Sequence, residues 1–159
     1  VRSNPWHAAQ VVSVLGAAAP RALWKACLAD LERTPWAPWT HMAAQKLDDG
    51  AVLERTERAL LDSVRRTAPH RGGVGATSTP ELALTAIVVE ALATTHSRAA
   101  ARAIRDAQHF LRRWQLVVPV AAAFDPELAL GAFPLAPIAP LLRSDVTADA
   151  LRALSVVPG

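Results

Sequence analysis

Apolar and polar positions along this 159-residue chain alternate between two styles of helical pattern. In the first style a segment is apolar nearly all round. Residues 5–16, "PWHAAQVVSVLG", carry only His7, Gln10 and Ser13 against that trend. Asn4 stands in the N-cap place, Pro5 at the first helical position and Gly16 at the stop. A helix of this kind must be covered on every side, so it is expected inside. The second style is amphipathic. In residues 20–33, "PRALWKACLADLER", the apolar Leu23, Trp24, Cys27, Leu28 and Leu31 recur at helical spacing. Arg21, Lys25, Asp30 and Glu32 fall on other faces, as in an outer helix with one wet side.

The two styles then repeat. "PWTHMAAQKL" (38–47) is mostly apolar. "AVLERTERALLDSVRR" (51–66) turns Leu53, Leu60, Leu61 and Val64 inward and sets Glu54–Arg58 and Asp62–Arg66 at i,i+4. "TPELALTAIVVEALATT" (79–95) is apolar again, with Thr79 as the expected cap and Pro80 at the first position. "SRAAARAIRDAQHFLRRWQ" (97–115) is the clearest amphipath. Ala100, Ala103, Ile104, Ala107, Leu111 and Trp114 form one stripe, and Arg98, Arg102, Arg105, Arg112 and Arg113 lie off it.

A mostly irregular proline-rich connector is expected over 116–144, with "DPELAL" (125–130) as one short capped turn. A last inner helix follows at 146–154. The proline-started helices begin near residues 5, 38 and 80, intervals close to those of helical repeats. The pattern predicts an all-α fold class. It would be a single domain over 1–159 built from about three and a half α/α helical hairpins. Apolar inner helices would alternate with amphipathic outer ones, as two packed rings or two layers of a solenoid.

Composition sharpens this picture in a few places. Hydrophobic residues make up 52% of the chain, much of that alanine, which lets helices approach closely. The single cysteine, Cys27, excludes an internal disulfide and a multi-cysteine zinc site. It lies on an apolar stripe, so it reads as a buried, inert thiol, which fits a reducing compartment. No apolar run reaches the ~18 residues of a membrane span; "LVVPVAAAF" (116–124) comes nearest. The chain enters helical pattern at once, with neither an initiator Met nor a signal peptide. That reads as a fragment or a processed chain of cytoplasmic type, whose targeting signal would have gone with any missing part. The net charge is +3 and the pI about 10.0, almost all from arginine strewn along helices. That alone argues little for a nucleic-acid role.

One stretch carries a family likeness. "FLRRWQ" (110–115) sets an aromatic residue, a leucine, three residues and a glutamine at the end of an outer helix. It resembles the first half of the repeat motif of squalene–hopene cyclases and related terpenoid cyclases. A Gly-x-aromatic element follows closely in that family. "GAF" (131–133) has this form but arrives later, and "PHRGGVG" (69–75) is a more degenerate version behind the preceding outer helix. The inner helices "PELALTAIVVEAL" and "DVTADALRAL" also resemble those of the α/α-toroid superfamily, which includes protein prenyltransferase β-subunits. The likeness covers most of 38–154 in style. It implies a partial toroid, completed by a missing part of the same chain or by a second subunit, or left as an open arc.

The resemblance also implies a site. Aligning Thr147-Ala148 with the Asp-rich motif of protonation-initiated cyclases puts Asp145 at the proton-donor position. That chemistry needs a protonated acid in a pocket that excludes water. Arg143 and Val146 stand where the family has acids, and Arg143 would hold the carboxyl ionised. The other reading is that Asp145 or Ser144 caps helix 146–154. A central cavity would be lined by Trp6, His7, Trp39, His41, Glu90 and Thr147. Aromatics such as Trp6, Trp36 and Trp39 would face a carbocation there, or would simply wedge between alanine-rich helices. His7 and His41 would face that cavity, or sit satisfied at helix ends. Glu90 would hold a polar ligand, or pair with an arginine at the rim. "PHRGG" (69–73), beside Arg65, Arg66 and Arg71, would cradle an anion such as a diphosphate, or form a plain turn. "LDDG" (47–50) has the look of a Mg–diphosphate motif or of a helix turn. No His/Asp/Glu trio has ligand spacing within one helix, and the prenyltransferase zinc set is not recognisable. Neither a metal nor a cofactor is therefore expected.

Two functions remain in view. The chain is a non-catalytic α/α-repeat module for protein–protein assembly, or part of a protonation-initiated terpenoid cyclase that binds an isoprenoid. A basic nucleic-acid binder stands third, on charge alone.

Overall fold

The computed structural model describes residues 5–29, 37–115, 132–136, 139–142 and 144–158. Its architecture is helical, as the pattern predicts. The chain divides into two compact units, Val1–Ser63 and Val64–Gly159.

The first unit holds α1 (Pro5–Leu15), a 3-10 turn (Gly16–Ala18), α2 (Arg21–Ala29), α3 (Ala37–Leu47) and α4 (Gly50–Ser63). Helix α3 packs against both α1 and α4, and α1 also packs against α2. Ala8, Ala9, Val12, Cys27 and Ala43 form the core, with Leu23, Trp24, Trp39 and Leu47 closing around it. The alanines bring the helix backbones close, and the two tryptophans fill what is left. The α3–α4 turn is made by "LDDG". Asp48 takes the left-handed conformation (φ 54), which a short acidic side chain tolerates. Asp49 then caps α4, its Oδ1 accepting from Val52 N at 3.2 Å. Helix α1 departs from expectation. It is apolar all round yet covered on only part of its circumference, so Val14 stays 80% exposed.

The second unit holds α5 (Leu82–Leu92), α6 (Arg98–Trp114), a short ribbon of β1 (Pro134–Ala136) and β2 (Ala139–Leu142), and α7 (Ser144–Ser155). Helix α5 lies at its centre, packed by α6, α7 and β1. Nine of its eleven residues are buried, as an all-apolar helix demands. The predicted stripe of α6 is buried at Ala100, Ala103, Ile104, Ala107 and Leu111, with Trp114 half-buried. Ser97 caps that helix, accepting from Ala100 N at 3.1 Å.

Three expectations change here. Helix α5 starts at Leu82, past Thr79 and Pro80, because Glu81 is held extended by its N–H bond to Val74 O at 2.8 Å. The proline-rich connector is not irregular to residue 144. Residues 134–136 and 139–142 pair antiparallel, Pro134 opposite Leu142 and Ala136 opposite Ala139. Proline lacks a donor but is tolerated on an edge strand, and a two-stranded ribbon consists of edges. Helix α7 begins at Ser144 and is amphipathic, burying only Val146, Ala150 and Ala153. Asn4, Trp36, the 125–130 turn, Gly131 and Arg143 lie outside the described residues.

Candidate functional site

The residues singled out for a central cavity are divided between the two units. In the first, Trp6 falls in the first turn of α1 and His7 next to it is exposed. Trp39 and His41, one turn into α3, point into the unit's own interior. Trp39 packs on the Ala8–Cys27 core. His41 is buried, 2% exposed, and its Nδ1 lies 2.8 Å from Thr56 Oγ1 on α4. The Thr56 hydroxyl already donates to Val52 O at 2.7 Å, so it receives the His41 Nδ1 proton. Burial pushes the His41 pKa below its ordinary value, and nearby Glu57 opposes the shift in part. The ring is therefore a neutral brace between two helices.

In the second unit, Asp145 sits exposed in the first turn of α7. As an acid in the first turn it stands at the positive end of the helix dipole. Thr147 accepts a hydrogen bond from Phe133 N at 3.1 Å, which ties the start of the ribbon to α7. Phe133, the aromatic of "GAF", is fully buried. Glu90 lies at the end of α5 and pairs with Arg152 of α7 at 3.1 Å. Arg152 also bonds Asp149. Burial raises the Asp149 pKa, with Arg152 opposing and Asp145 adding to the rise. No group of three metal-ligating residues occurs among the described residues.

The two glycine amides of the "PHRGG" loop are turned to its own backbone: Gly72 N donates to Arg65 O at 2.9 Å and Gly73 N to His70 O at 2.9 Å. The loop lies flat on α6. A Cβ at Gly72 (φ +88) would stand 2.0 Å from Asp106 O, and one at Gly73 would stand 2.9 Å from Phe110 Cζ. Arg71 grips both carboxylate oxygens of Asp106, at 3.0 and 3.1 Å. Arg65 holds the far side through the carbonyls of Ser78 and Thr77. The glycines thus serve a close approach of backbone to helix.

Sequence reasoning passed over one buried polar residue that joins two helices. Gln108 lies between residues of the α6 apolar stripe and is 5% exposed. Its amide donates to the carbonyls of Ala153 and Val156 at the end of α7. The sequence signal was present: a lone amide among buried alanines needs a partner.

Two surface features stand out once these residues are placed. Val11, Val14 and Leu15 expose an apolar strip on α1. The arginines of α6 collect on its outward face. No helix among the described residues is long and apolar enough to cross a membrane. Compared with known protein families, curated proteins and solved structures, the chain matches none.

Proposed function

We propose that this chain is a non-catalytic module of stacked helical hairpins that works by binding another protein. The exposed strip of α1 carries the reading. Val11, Val14 and Leu15 recur at i, i+3 and i+4, and are 39%, 80% and 48% exposed. Contiguous apolar side chains left in water on one helix face mark an interaction surface. The finer fold we propose is a set of toroid-like α/α hairpins, supported by the packing of α1 on α2, α3 on α4 and α5 on α6. The cyclase reading has less support. Asp145 is exposed, while Trp39 and His41 are used in the interior of the other unit.

The test substitutes Val14→Asp together with Leu15→Asp. Both side chains face water, so folding should survive. Native-source chain analysed by light scattering should form a complex of defined stoichiometry that the variant loses at unchanged melting temperature. Identical behaviour of the two chains would overturn the proposal. Turnover of an isoprenoid that Asp145→Asn abolishes would replace it with the cyclase reading.

A further inference from the structure

We propose that the outward face of α6 binds the phosphodiester backbone of a nucleic acid. Arg98, Arg102, Arg105, His109, Arg112 and Arg113 are all exposed. At about 100° per residue they fall within an arc of roughly 100°, opposite the buried stripe. From first to last they span about 22 Å of helix at ~1.5 Å per residue. None of Arg98, Arg102, Arg105 and Arg112 pairs with an acid among the described residues. The only acid on α6 is Asp106, and it is engaged by Arg71, which adds a further half-exposed cation beside the row. Arg71, His109 and Arg113 meet Phe110 and Asp106 around an open groove of about 500 Å³ along the same face. Arg113 Nη1 is anchored there by Pro69 O at 3.2 Å.

The chemistry of the row selects the partner. Like charges this close repel one another, and a polyanion relieves that repulsion. Five of the six side chains in the row are guanidiniums, whose planar fork takes two phosphate oxygens at once. A protein partner would look for an apolar centre, and no large exposed apolar residue lies on α6. A lipid surface would need the helix to insert an apolar face, and that face is buried against α5 and α7. Protein–nucleic acid interfaces are the polar, strongly cationic kind this face matches. With no groove-reading element in view, binding should depend on salt and not on base sequence.

A short fluorescent single-stranded oligonucleotide of mixed sequence, titrated with the full chain, tests this by anisotropy. Affinity should fall by roughly two orders of magnitude between about 50 and 200 mM salt, as for about five phosphate contacts. Arg102→Gln with Arg105→Gln should weaken binding by about tenfold at low salt and reduce the log–log salt slope by about 1.4. Arg21→Gln with Lys25→Gln removes the same charge from exposed positions on α2 and should leave the slope unchanged. Equal loss in the two pairs would reduce the effect to net charge and overturn the assignment. So would an absence of binding at about 50 mM salt. Polyglutamate or phosphatidylserine vesicles that bind as tightly, with the same sensitivity to Arg102 and Arg105, would also overturn it.

Discussion

Gln108 on α6 donates its buried side-chain amide to the carbonyl oxygen of Ala153 on α7, at 3.0 Å. Its second amide hydrogen reaches Val156 O at 2.8 Å. The last carbonyls of a helix have no partner within the helix, so a neighbouring helix supplies one here. Gln108→Leu keeps the size of the side chain and removes both donors. It should cost about 1–3 kcal/mol, since Val156 O loses this donor and Ala153 O keeps only the long 3.4 Å bond from Val156 N. Thermal denaturation should show a melting temperature lower by several degrees. Amides of the last turn of α7 should exchange faster, while those of α5 keep their relative protection.

His41 makes the stability of the first unit depend on pH. Its pKa is lowered in the fold, mainly by burial, below the ordinary 6.5. Between the two values the unfolded chain binds more protons than the folded one. Stability is therefore full above about pH 6.5 and declines as pH falls through the lowered value. Denaturation followed from pH 7.5 downward should show this loss. His41→Leu should flatten the profile in that window, and Thr56→Val should lower stability at every pH by leaving the Nδ1 proton without an acceptor.

Gly72 and Gly50 should respond oppositely to alanine. At Gly72 a methyl group would overlap the backbone of Asp106, and φ +88 disfavours any side chain. Gly72→Ala should cost at least about 3 kcal/mol, among the larger single-residue effects. Gly50 opens α4 and meets nothing within 4 Å, so Gly50→Ala should be neutral or stabilise by up to about 1 kcal/mol. Urea denaturation of the two variants side by side checks both signs.

The helices could be read from the chain because periodicity is local. The stripe of α6 and the all-apolar run of α5 each identify their element without outside help. Cys27 was legible for the same reason, being one position on a stripe, and burial raises its thiol pKa to about 11. What could not be read depends on partners far along the chain. His41 needs Thr56 fifteen residues away, and Gln108 needs Ala153, forty-five residues away. The start of α5 was misplaced because the Val74–Glu81 bridge overrides the proline signal. The ribbon was missed because prolines that break a helix are acceptable to an edge strand. Asp145 was singled out from a motif likeness, and a motif does not say which way a helix surface faces.

The loop carrying Gly72 also settles where this chain can be cut. Residues 65–81 contain no helix, yet they are fastened at Arg65–Gly73, at Val74–Thr85 and at Arg71–Asp106. All of these clasps lie on the C-terminal side of Ser63. An expression boundary before Val64 keeps every fastening with the helices it serves. One drawn at Pro80, where the proline signal would start a helix, strips Val74 from α5 and bares Phe110. The loop is best treated as the opening element of the second unit, not as a spacer that can be trimmed.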